Sequence, residues 1–310
     1  MKPLFTIITP VYNREKIVVS TIESVINQSY DSWEYIIVDD CSTDRTWSVI
    51  SDYARKDERI HVWKRDRHPK GAQTCRNVGI SQAQGKFLIF LDSDDLLKPF
   101  CLKQRAKFIQ DNPGFDLAIF PKKPIKHTDI NSILKSFLRY RIPVQTTDSL
   151  WAKSFIENIG GLNEKLTRFQ DVELTIRALL VDDLLFQCSL GHEPDSIYNY
   201  QASISYGNNS AHVFDALIKF IKEITIILEL NNSNCLKSNL RYYLCSWLIH
   251  YNDDNHFTQT DELIDLFYNH RIISYKIFRV LLGLQKITNS FVSQNKTIVK
   301  IIYYSLFKVT

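Results

Sequence analysis

Residues 87–95 read Phe-Leu-Ile-Phe-Leu-Asp-Ser-Asp-Asp, so a short apolar run is followed at once by three carboxylates. A continuous run of large apolar residues is typical of a strand that is buried on both faces of a parallel sheet. Carboxylates crowded at the end of such a strand resist joint ionisation, and a divalent cation removes that cost. Ligands that are all oxygen suit Mg²⁺ or Mn²⁺, which bind one or two carboxylates together with water and substrate phosphate. The stretch therefore predicts a metal–diphosphate site at the edge of an α/β sheet.

The first 120 residues repeat this strand-then-helix pattern. Segments with helical spacing alternate with five apolar runs, at Leu4–Thr9, Tyr35–Val38, Ile60–Trp63, Phe87–Leu91 and Leu117–Phe120. Such alternation predicts βαβ units and a Rossmann-like, mainly parallel sheet flanked by helices. Three of the runs end in polar residues, and ligands of open α/β sheets bind outside the carboxyl ends of the strands. We therefore expect these polar ends to converge on one crevice. After about residue 210 the pattern becomes helical and predicts a C-terminal appendage.

Composition and charge narrow the class of protein. The six cysteines of the 310-residue chain are scattered, without a Cys-x-x-Cys pair, which favours free thiols in a reducing compartment. Neither a signal peptide nor an apolar stretch of spanning length is evident, so we expect a cytoplasmic protein. Residues 271–310 hold seven Lys or Arg and no Asp or Glu, although the net charge of the whole chain is only +4. This basic tail fits either solvated lysines on packed helices or attachment to an anionic membrane at its inner face. The rest of the chain is net acidic, which argues against a nucleic-acid partner.

The acid cluster has two other readings. Ser93, Asp94 or Asp95 could cap a short helix that begins at Leu96-Leu97, because Ser and Asp are favoured N-caps. An apolar strand that ends in Asp-x-Asp is also found in haloacid-dehalogenase-like phosphatases, in which the first Asp is a nucleophile. That motif normally lies near the start of the chain and continues into Thr or Val, whereas here it lies at position 92 and continues into Asp95.

Read together, the strand ends carry a more specific resemblance. The chain resembles the family 2 inverting glycosyltransferases over about residues 3–205. The matching segments are Thr9–Arg14, Ser24–Tyr30, Glu34–Asp44, Arg76–Ile80, Gly85 and Asp92–Asp95. The resemblance implies the GT-A fold of nucleotide-diphospho-sugar transferases. It implies a catalytic domain over residues 1–208, with a nucleotide-sugar half (1–120) and an acceptor half (121–208), and a helical region over 209–310.

The resemblance also implies a role for each matching residue. Asp39 would accept from the base edge, most often uracil, and Asp94 would ligate the Mn²⁺ or Mg²⁺ that bridges the diphosphate. Asp92 would face the ribose or the sugar and is a second candidate metal ligand. The residues expected to bind the nucleotide-sugar are Thr9, Pro10, Tyr12, Asp39, Asp40, Arg76, Asn77, Asp92 and Ser93.

The catalytic base is expected downstream, after a Gly-Gly turn. Gly160-Gly161 leads here to Gln170-Asp171-Val172-Glu173, and the resemblance places the base at Asp171. The Glu that usually precedes it is Gln170 in this chain, which leaves one acid fewer. Glu173 is the alternative base, although it lies roughly 200° further around a helix. Asp171 could also serve as the N-cap of the following helix, and the two roles are compatible.

These observations predict a metal-dependent inverting glycosyltransferase. It would move a sugar from a nucleotide-diphosphate donor, UDP-linked by family analogy, to a hydroxyl of a glycan or lipid-linked acceptor in surface polysaccharide synthesis. Two alternatives stay open at this point. The chain could be a degenerate nucleotide-sugar-binding or scaffold protein, or an Asp-nucleophile phosphohydrolase.

Overall fold

A computed structural model describes residues 3–123, 125–199, 210–251, 256–294 and 296–307, with the main chain alone at residue 257 and over 285–300. The chain divides into two compact units. One, the α/β unit, comprises Met1–Ile130 and Pro143–Gly207, and the other, the helical unit, comprises Asn131–Ile142 and Asn208–Thr310. The boundary predicted between residues 208 and 209 lies outside the described residues.

The α/β unit is built on a seven-stranded sheet with a separate two-stranded ribbon. The strands are β1 (Phe5–Val11), β2 (Trp33–Asp39), β3 (Ile60–Lys64), β4 (Phe87–Phe90), β5 (Leu96–Leu97), β6 (Leu117–Ile119), β7 (Ser149–Ala152), β8 (Phe186–Cys188) and β9 (Ser196–Ile197). The sheet order is β3-β2-β1-β4-β7-β6-β8, and the ribbon pairs β5 with β9. Strands β3, β2, β1 and β4 are parallel, and β7 runs antiparallel to both of its neighbours. The predicted mainly parallel sheet is confirmed.

Helices cover this sheet and make up the second unit. The α/β unit contains α1 (Val18–Ile26), α2 (Thr46–Lys56), α3 (Ala72–Gln82), α4 (Cys101–Asp111), α6 (Lys153–Asn158), α7 (Gln170–Leu179) and a 3-10 turn at Thr146–Asp148. The helical unit contains α5 (Ile130–Leu138), α8 (Ser210–Leu230), a 3-10 helix at Asn234–Leu240, α9 (Arg241–Tyr251), α10 (Phe257–Asn269), α11 (Tyr275–Gln294) and α12 (Lys296–Phe307). Within the described residues, none of these helices combines the length and the apolar content needed to cross a bilayer.

Close packing against β1 sets the position of the site. Every residue of β1, β2 and β4 is buried, as expected for central strands covered on both faces. A Cβ at Gly79 of α3 would lie 2.4 Å from Ile8 Cγ2, so a larger residue at this position would force α3 or Ile8 of β1 to shift. A Cβ at Gly85 would lie 2.6 Å from the main-chain nitrogen of Thr6, where β4 begins beside β1. These two glycines let α3 and β4 pack directly on β1.

Two alternative interpretations prove wrong, both about helix caps. Leu96–Leu97 forms β5 and pairs with Ser196–Ile197, so the acid cluster does not cap a helix at this point. Asp171 is the second residue of α7, whose N-cap is Phe169 with φ 61°. The N-cap role is therefore not available to Asp171.

The helical unit includes a segment that the sequence pattern left unassigned. Helix α5 buries Ile133, Leu134, Phe137 and Leu138. The hydroxyl of Tyr243 donates to the carbonyl of Phe137 at 2.8 Å, and Arg139 Nε donates to Asn239 Oδ1 at 2.8 Å. Residues 131–142 thus pack with helices about a hundred positions later, whereas the sequence placed them in the acceptor half.

Candidate active site

The polar ends of β1, β2 and β4 lie side by side in the sheet. The register pairs Val11 with Asp39 across β1 and β2, and Ile8 with Phe90 across β1 and β4. Because the three strands are parallel neighbours, Thr9, Asp39 and Asp92 come out at one edge of the sheet. The structure therefore brings the predicted strand-end residues together.

The side chains of two of these residues, Thr9 and Asp39, form hydrogen bonds within the protein and fix the neighbouring main chain. Thr9 is fully buried and accepts a hydrogen bond from the Tyr35 hydroxyl at 2.9 Å; burial raises the pKa of that hydroxyl above its usual value. Asp39 is 1% exposed, and its carboxylate accepts from the amide of Ser42 at 3.1 Å and from the Ser42 hydroxyl. Next to it, Asp40 forms an ion pair with Arg65. The loop after β2 is thus held in one conformation.

The loop after β1 is fastened to this one by residues of the matching segments to which the resemblance gave no role. The amide of Asn13 donates to Ser42 Oγ at 3.0 Å, and Asn13 Oδ1 accepts from the amide of Thr43 at 2.8 Å. Tyr12 stays exposed on the same loop, with Lys70 Nζ 3.4 Å from its ring centroid. Asn13 has φ 52°, and an Asn in a β–α loop was the available signal, because Asn tolerates positive φ.

Helix α3 presents Arg76 and Asn77 to different partners. Arg76 is 4% exposed and forms an ion pair with Asp92 at the end of β4. Asn77 instead donates to the carbonyl of Leu162 at 2.9 Å and accepts from the amide of Leu162 at 2.9 Å. Consecutive helical residues are separated by about 100° around the axis. Arg76 therefore belongs to the acid cluster, and Asn77 anchors the turn after Gly160-Gly161.

Negative charge in the acid cluster is incompletely neutralised. Burial, together with the charge of Asp92, raises the pKa of Asp94, although Arg14 opposes the shift. Burial and Asp92 likewise raise the pKa of Asp95 to about 7. Asp95 is 2% exposed and accepts from the amide of Asn199 at 3.3 Å. The carboxylate of Asp94 accepts a hydrogen bond from its own main-chain amide, and among the described residues it forms no ion pair.

The donor set of this cluster fits a hard divalent cation. Across the described residues, no three His, Cys, Asp or Glu side chains gather as a metal-binding group. Mg²⁺ and Mn²⁺ do not require one, because they accept one or two carboxylates and complete their shell with water and phosphate oxygens. Asp94, whose carboxylate forms no ion pair within the described residues, and the half-exposed Asp92 supply oxygen ligands of this kind.

Asp171 lies in the first turn of α7, where the helix dipole favours a carboxylate. Its Oδ2 accepts a hydrogen bond from Thr146 Oγ1 at 3.0 Å. Glu173, the alternative base, is 1% exposed and bound to Arg177 at 2.7 Å. Arg177 in turn donates to the carbonyl of Gly161 at 2.6 Å. Glu173 is thus occupied in holding the Gly-Gly turn, while Asp171 binds Thr146 through one of its two carboxylate oxygens.

One turn connects Asp171 to the acid cluster. In the 3-10 turn, Thr146 contacts Asp171, and the adjacent Thr147 places its Oγ1 3.5 Å from Asp95 Oδ2. Two adjacent residues of one turn therefore contact Asp171 and Asp95. The sequence analysis did not single out Thr146 and Thr147, which belong to no motif.

Comparison with known proteins identifies the class. Residues 6–160, half of the chain, match the family model described as Glycosyl transferase family 2, and the chain belongs to this family. The match includes the three strand ends and stops before Asp171.

Two relatives show how far the similarity extends. TuaG of Bacillus subtilis, which is named for teichuronic acid biosynthesis, is 44% identical over 110 residues, or 36% of this chain and 43% of TuaG. The crystal structure of residues 1–349 of Staphylococcus aureus TarS superposes with a TM-score of 0.66 at 19% identity, covering 98% of this chain and 92% of that one. TarS is named a poly(ribitol-phosphate) β-N-acetylglucosaminyltransferase. The chain aligns with less than half of the length of TuaG, and the likeness to TarS establishes the GT-A fold.

A third protein carries a metal. The mannosyltransferase PcManGT of Pyrobaculum calidifontis, solved with GDP-Man and Mn²⁺, superposes with a TM-score of 0.57 at 14% identity over 100% of this chain and 87% of its own. TarS has also been solved with UDP and with UDP-GlcNAc. Proteins with this fold therefore bind nucleotide-sugar donors.

Proposed function

We propose that this chain is an inverting glycosyltransferase that uses a divalent metal and a nucleotide-diphospho-sugar, with UDP as the nucleotide. One observation carries the proposal: Asp94, partly buried and without an ion pair in the described structure, directly precedes Asp95, which a single turn connects to a half-buried Asp171. The carboxylate of Asp94 suits a cation that binds diphosphate, and the carboxylate of Asp171 suits a catalytic base. The two TarS complexes with UDP and UDP-GlcNAc support the choice of donor.

Asp94, with Asp92, would hold Mn²⁺ or Mg²⁺, and that ion would supply positive charge to neutralise the departing diphosphate. Arg76, already paired with Asp92, adds a second positive group on the same side. Its Nε and Nη1 are buried and make no hydrogen bond within the described residues. They are donors available to an anionic ligand.

The reaction forms a bond between an acceptor hydroxyl oxygen and the anomeric carbon, and breaks the bond from that carbon to the diphosphate oxygen. Asp171 would take the hydroxyl proton on the carboxylate oxygen that Thr146 does not occupy. The base acts on the face opposite the leaving group, so the configuration at the anomeric carbon inverts. The similarity to TuaG and TarS supports a glycan or lipid-linked acceptor of a surface polymer.

A panel of nucleotide sugars, with Mn²⁺, Mg²⁺ or EDTA, tests the proposal on the full chain. We expect metal-dependent release of UDP from one donor, lost in Asp94→Ala. Asp171→Asn should abolish transfer but still bind UDP, and Asp111→Asn, an exposed residue of α4, serves as the matched control. Full transfer by Asp171→Asn would show that the base is another group.

The two other classes give different results in the same assays. A degenerate binding protein would bind UDP in calorimetry without donor hydrolysis or transfer. A phosphohydrolase would release phosphate from an aryl phosphate and show no affinity for nucleotides. Either result would replace the transferase proposal.

The basic tail is proposed to contact an anionic lipid surface. On α11 the exposed side chains Tyr275, Lys276, Arg279 and Val280 lie within about 140° of the helical wheel. Aromatic, apolar and basic groups on one face are what interfacial helices present. The side chains of Lys286, Lys296 and Lys300, and the whole of Lys308, lie outside the described residues.

A further inference from the structure

A buried ion pair lies directly behind the turn that contacts Asp171. Arg105 of α4 is 0% exposed and Asp195 is 1% exposed, and Arg105 binds both carboxylate oxygens, Nε to Oδ2 at 2.9 Å and Nη2 to Oδ1 at 3.0 Å. Taking two charges out of water is expensive, and apolar residues of similar size often stabilise a core at least as well. Stability alone therefore does not explain this ion pair. A third hydrogen bond of Arg105, to the turn that contacts Asp171, indicates another role. Arg105 Nη2 also donates to the main-chain carbonyl of Thr147 at 2.9 Å.

The other end of the turn is fixed by Asp148, which is also 1% exposed. Its Oδ2 accepts from the amide of Gln145 at 3.0 Å, and its Oδ1 accepts from Ser196 Oγ at 2.9 Å. Ser196 follows Asp195 directly in the chain. Arg105, which is paired with Asp195, binds Thr147, and Ser196 binds Asp148, so the turn is held at two neighbouring residues. The main chain from Gln145 to Asp148 has little freedom to move.

The front of the turn presents two hydroxyls to acidic groups. Thr146 Oγ1 donates to Asp171 Oδ2 at 3.0 Å, and Thr147 Oγ1 lies 3.5 Å from Asp95 Oδ2. An aspartate in the first turn of a helix can rotate about two bonds, and a donor from a fixed main chain selects one rotamer. No second hydrogen bond to the Asp171 carboxylate is formed by the residues that the structure describes. Thr146 is thus positioned to orient it.

We propose that Thr146, on a turn anchored by the Arg105–Asp195 pair, is the positioning residue for Asp171. The inference rests on the proposed function, because it takes Asp171 as the base. Thr146 acts through Asp171 and does not touch the substrate. It holds one carboxylate oxygen so that the other meets the acceptor hydroxyl at the 2.6–3.2 Å that proton transfer requires.

The test compares Thr146→Val, which keeps the shape and removes the hydroxyl, with Thr146→Ser, which keeps the hydroxyl. Thr225→Val is the matched control, because Thr225 is a buried threonine of α8 whose hydroxyl donates to the carbonyl of Ile221 at 2.9 Å. Transfer is followed with the donor and acceptor that the wild-type chain uses. Donor KM, kcat and the thermal unfolding midpoint are measured for each full-length variant.

We expect Thr146→Val to lower kcat on the order of tenfold to a hundredfold, since small misplacements of a reacting group cost that much. Donor KM and the midpoint should stay near the wild-type values, and Thr146→Ser should restore at least half of kcat. Thr225→Val should keep wild-type kcat.

Three outcomes would overturn the inference: a kcat within twofold of wild type in Thr146→Val, an equal loss in Thr146→Ser, or a parallel loss of donor affinity. Failure of the proposed function would look different. In that case the wild-type chain itself would transfer no sugar, or Asp171→Asn would remain active.

Discussion

Replacing Arg105 with Met should destabilise the α/β unit severely, because it leaves the carboxylate of Asp195 buried without its guanidinium partner. The substitution keeps most of the aliphatic stem and removes three hydrogen bonds, two to Asp195 and one to the carbonyl of Thr147. Breaking a buried ion pair by removing one partner typically costs about 3–5 kcal/mol. For a unit of this size that corresponds to a fall of about 6–20 °C in the unfolding midpoint.

Helix α4 offers a matched control two residues away. Lys107 Nζ lies 3.0 Å from Asp111 Oδ2, with side chains that are 76% and 56% exposed. Lys107→Met removes a charge and an ion pair from the same helix, yet should change stability by no more than about 0.5 kcal/mol. Calorimetry or urea unfolding of the full-length variants, without ligands, measures both effects.

The pH dependence of the stability difference between the wild type and Arg105→Met tests whether the buried charge of Asp195 is its cause. Burial opposes ionisation of Asp195, but the charge and hydrogen bonds of Arg105 hold its pKa below the usual value. In the wild type the lowered pKa of Asp195 contributes to the free energy of unfolding. This contribution is fully present above the ordinary carboxyl pKa of about 3.9 and is lost as pH falls through the lower pKa of the folded state. In Arg105→Met the burial of Asp195, which is the largest influence on its pKa, is opposed only by the smaller effects of Cys101 and His192 and should raise that pKa, so protonation relieves the buried charge as pH falls. The gap between variant and wild type should therefore narrow from pH 8 to pH 5.

A penalty below about 1 kcal/mol would refute this reasoning, because a buried unpaired charge costs more than that. A gap that stays constant or widens towards pH 5 would show that lost packing, and not charge, is responsible. Adding Asp195→Leu to Arg105→Met should recover most of the stability, since no charge is then left in the core.

Three further predictions test other parts of the molecule. Gly85→Ala should cost about 1–3 kcal/mol, because its Cβ would lie 2.6 Å from the main chain of β1; Gly283→Ala, in open space on α11, should stabilise by about 0.5–1 kcal/mol. An unchanged urea midpoint in Gly85→Ala would contradict the close approach of β4 to β1. In Asp94→Asn, Mn²⁺ should no longer increase the affinity for UDP measured by calorimetry. An increase in affinity equal to that of the wild type would show that Asp94 is not a metal ligand. The wild-type chain should float with vesicles of anionic lipid and not with neutral ones, and Lys276→Glu with Arg279→Glu should abolish flotation; equal recovery of variant and wild type would exclude the exposed face of α11 as the contact.

The amino-acid sequence by itself determined the framework of the α/β unit. Strands β1, β2 and β4 were predictable because each is a short apolar run, which burial on both faces of a parallel sheet requires. The acid cluster was predictable for the same reason, since polar residues directly after such a strand must come out at the ligand-binding edge. These are local patterns, and the resemblance across residues 3–205 added the family to which they belong.

Tertiary structure alone decided the features that depend on distant partners. Leu96–Leu97 is a strand because Ser196–Ile197 pairs with it, and α5 belongs to the helical unit because Tyr243 and Asn239 bind it. Thr146 carries no signature, and it contacts Asp171 only because β7 inserts between β4 and β6 and brings the preceding turn beside α7. Hydrogen bonds between residues that are 25 or 100 positions apart leave no periodic trace in a sequence. Local sequence patterns therefore predict where the acid cluster lies, whereas the fold decides that Thr146 contacts Asp171.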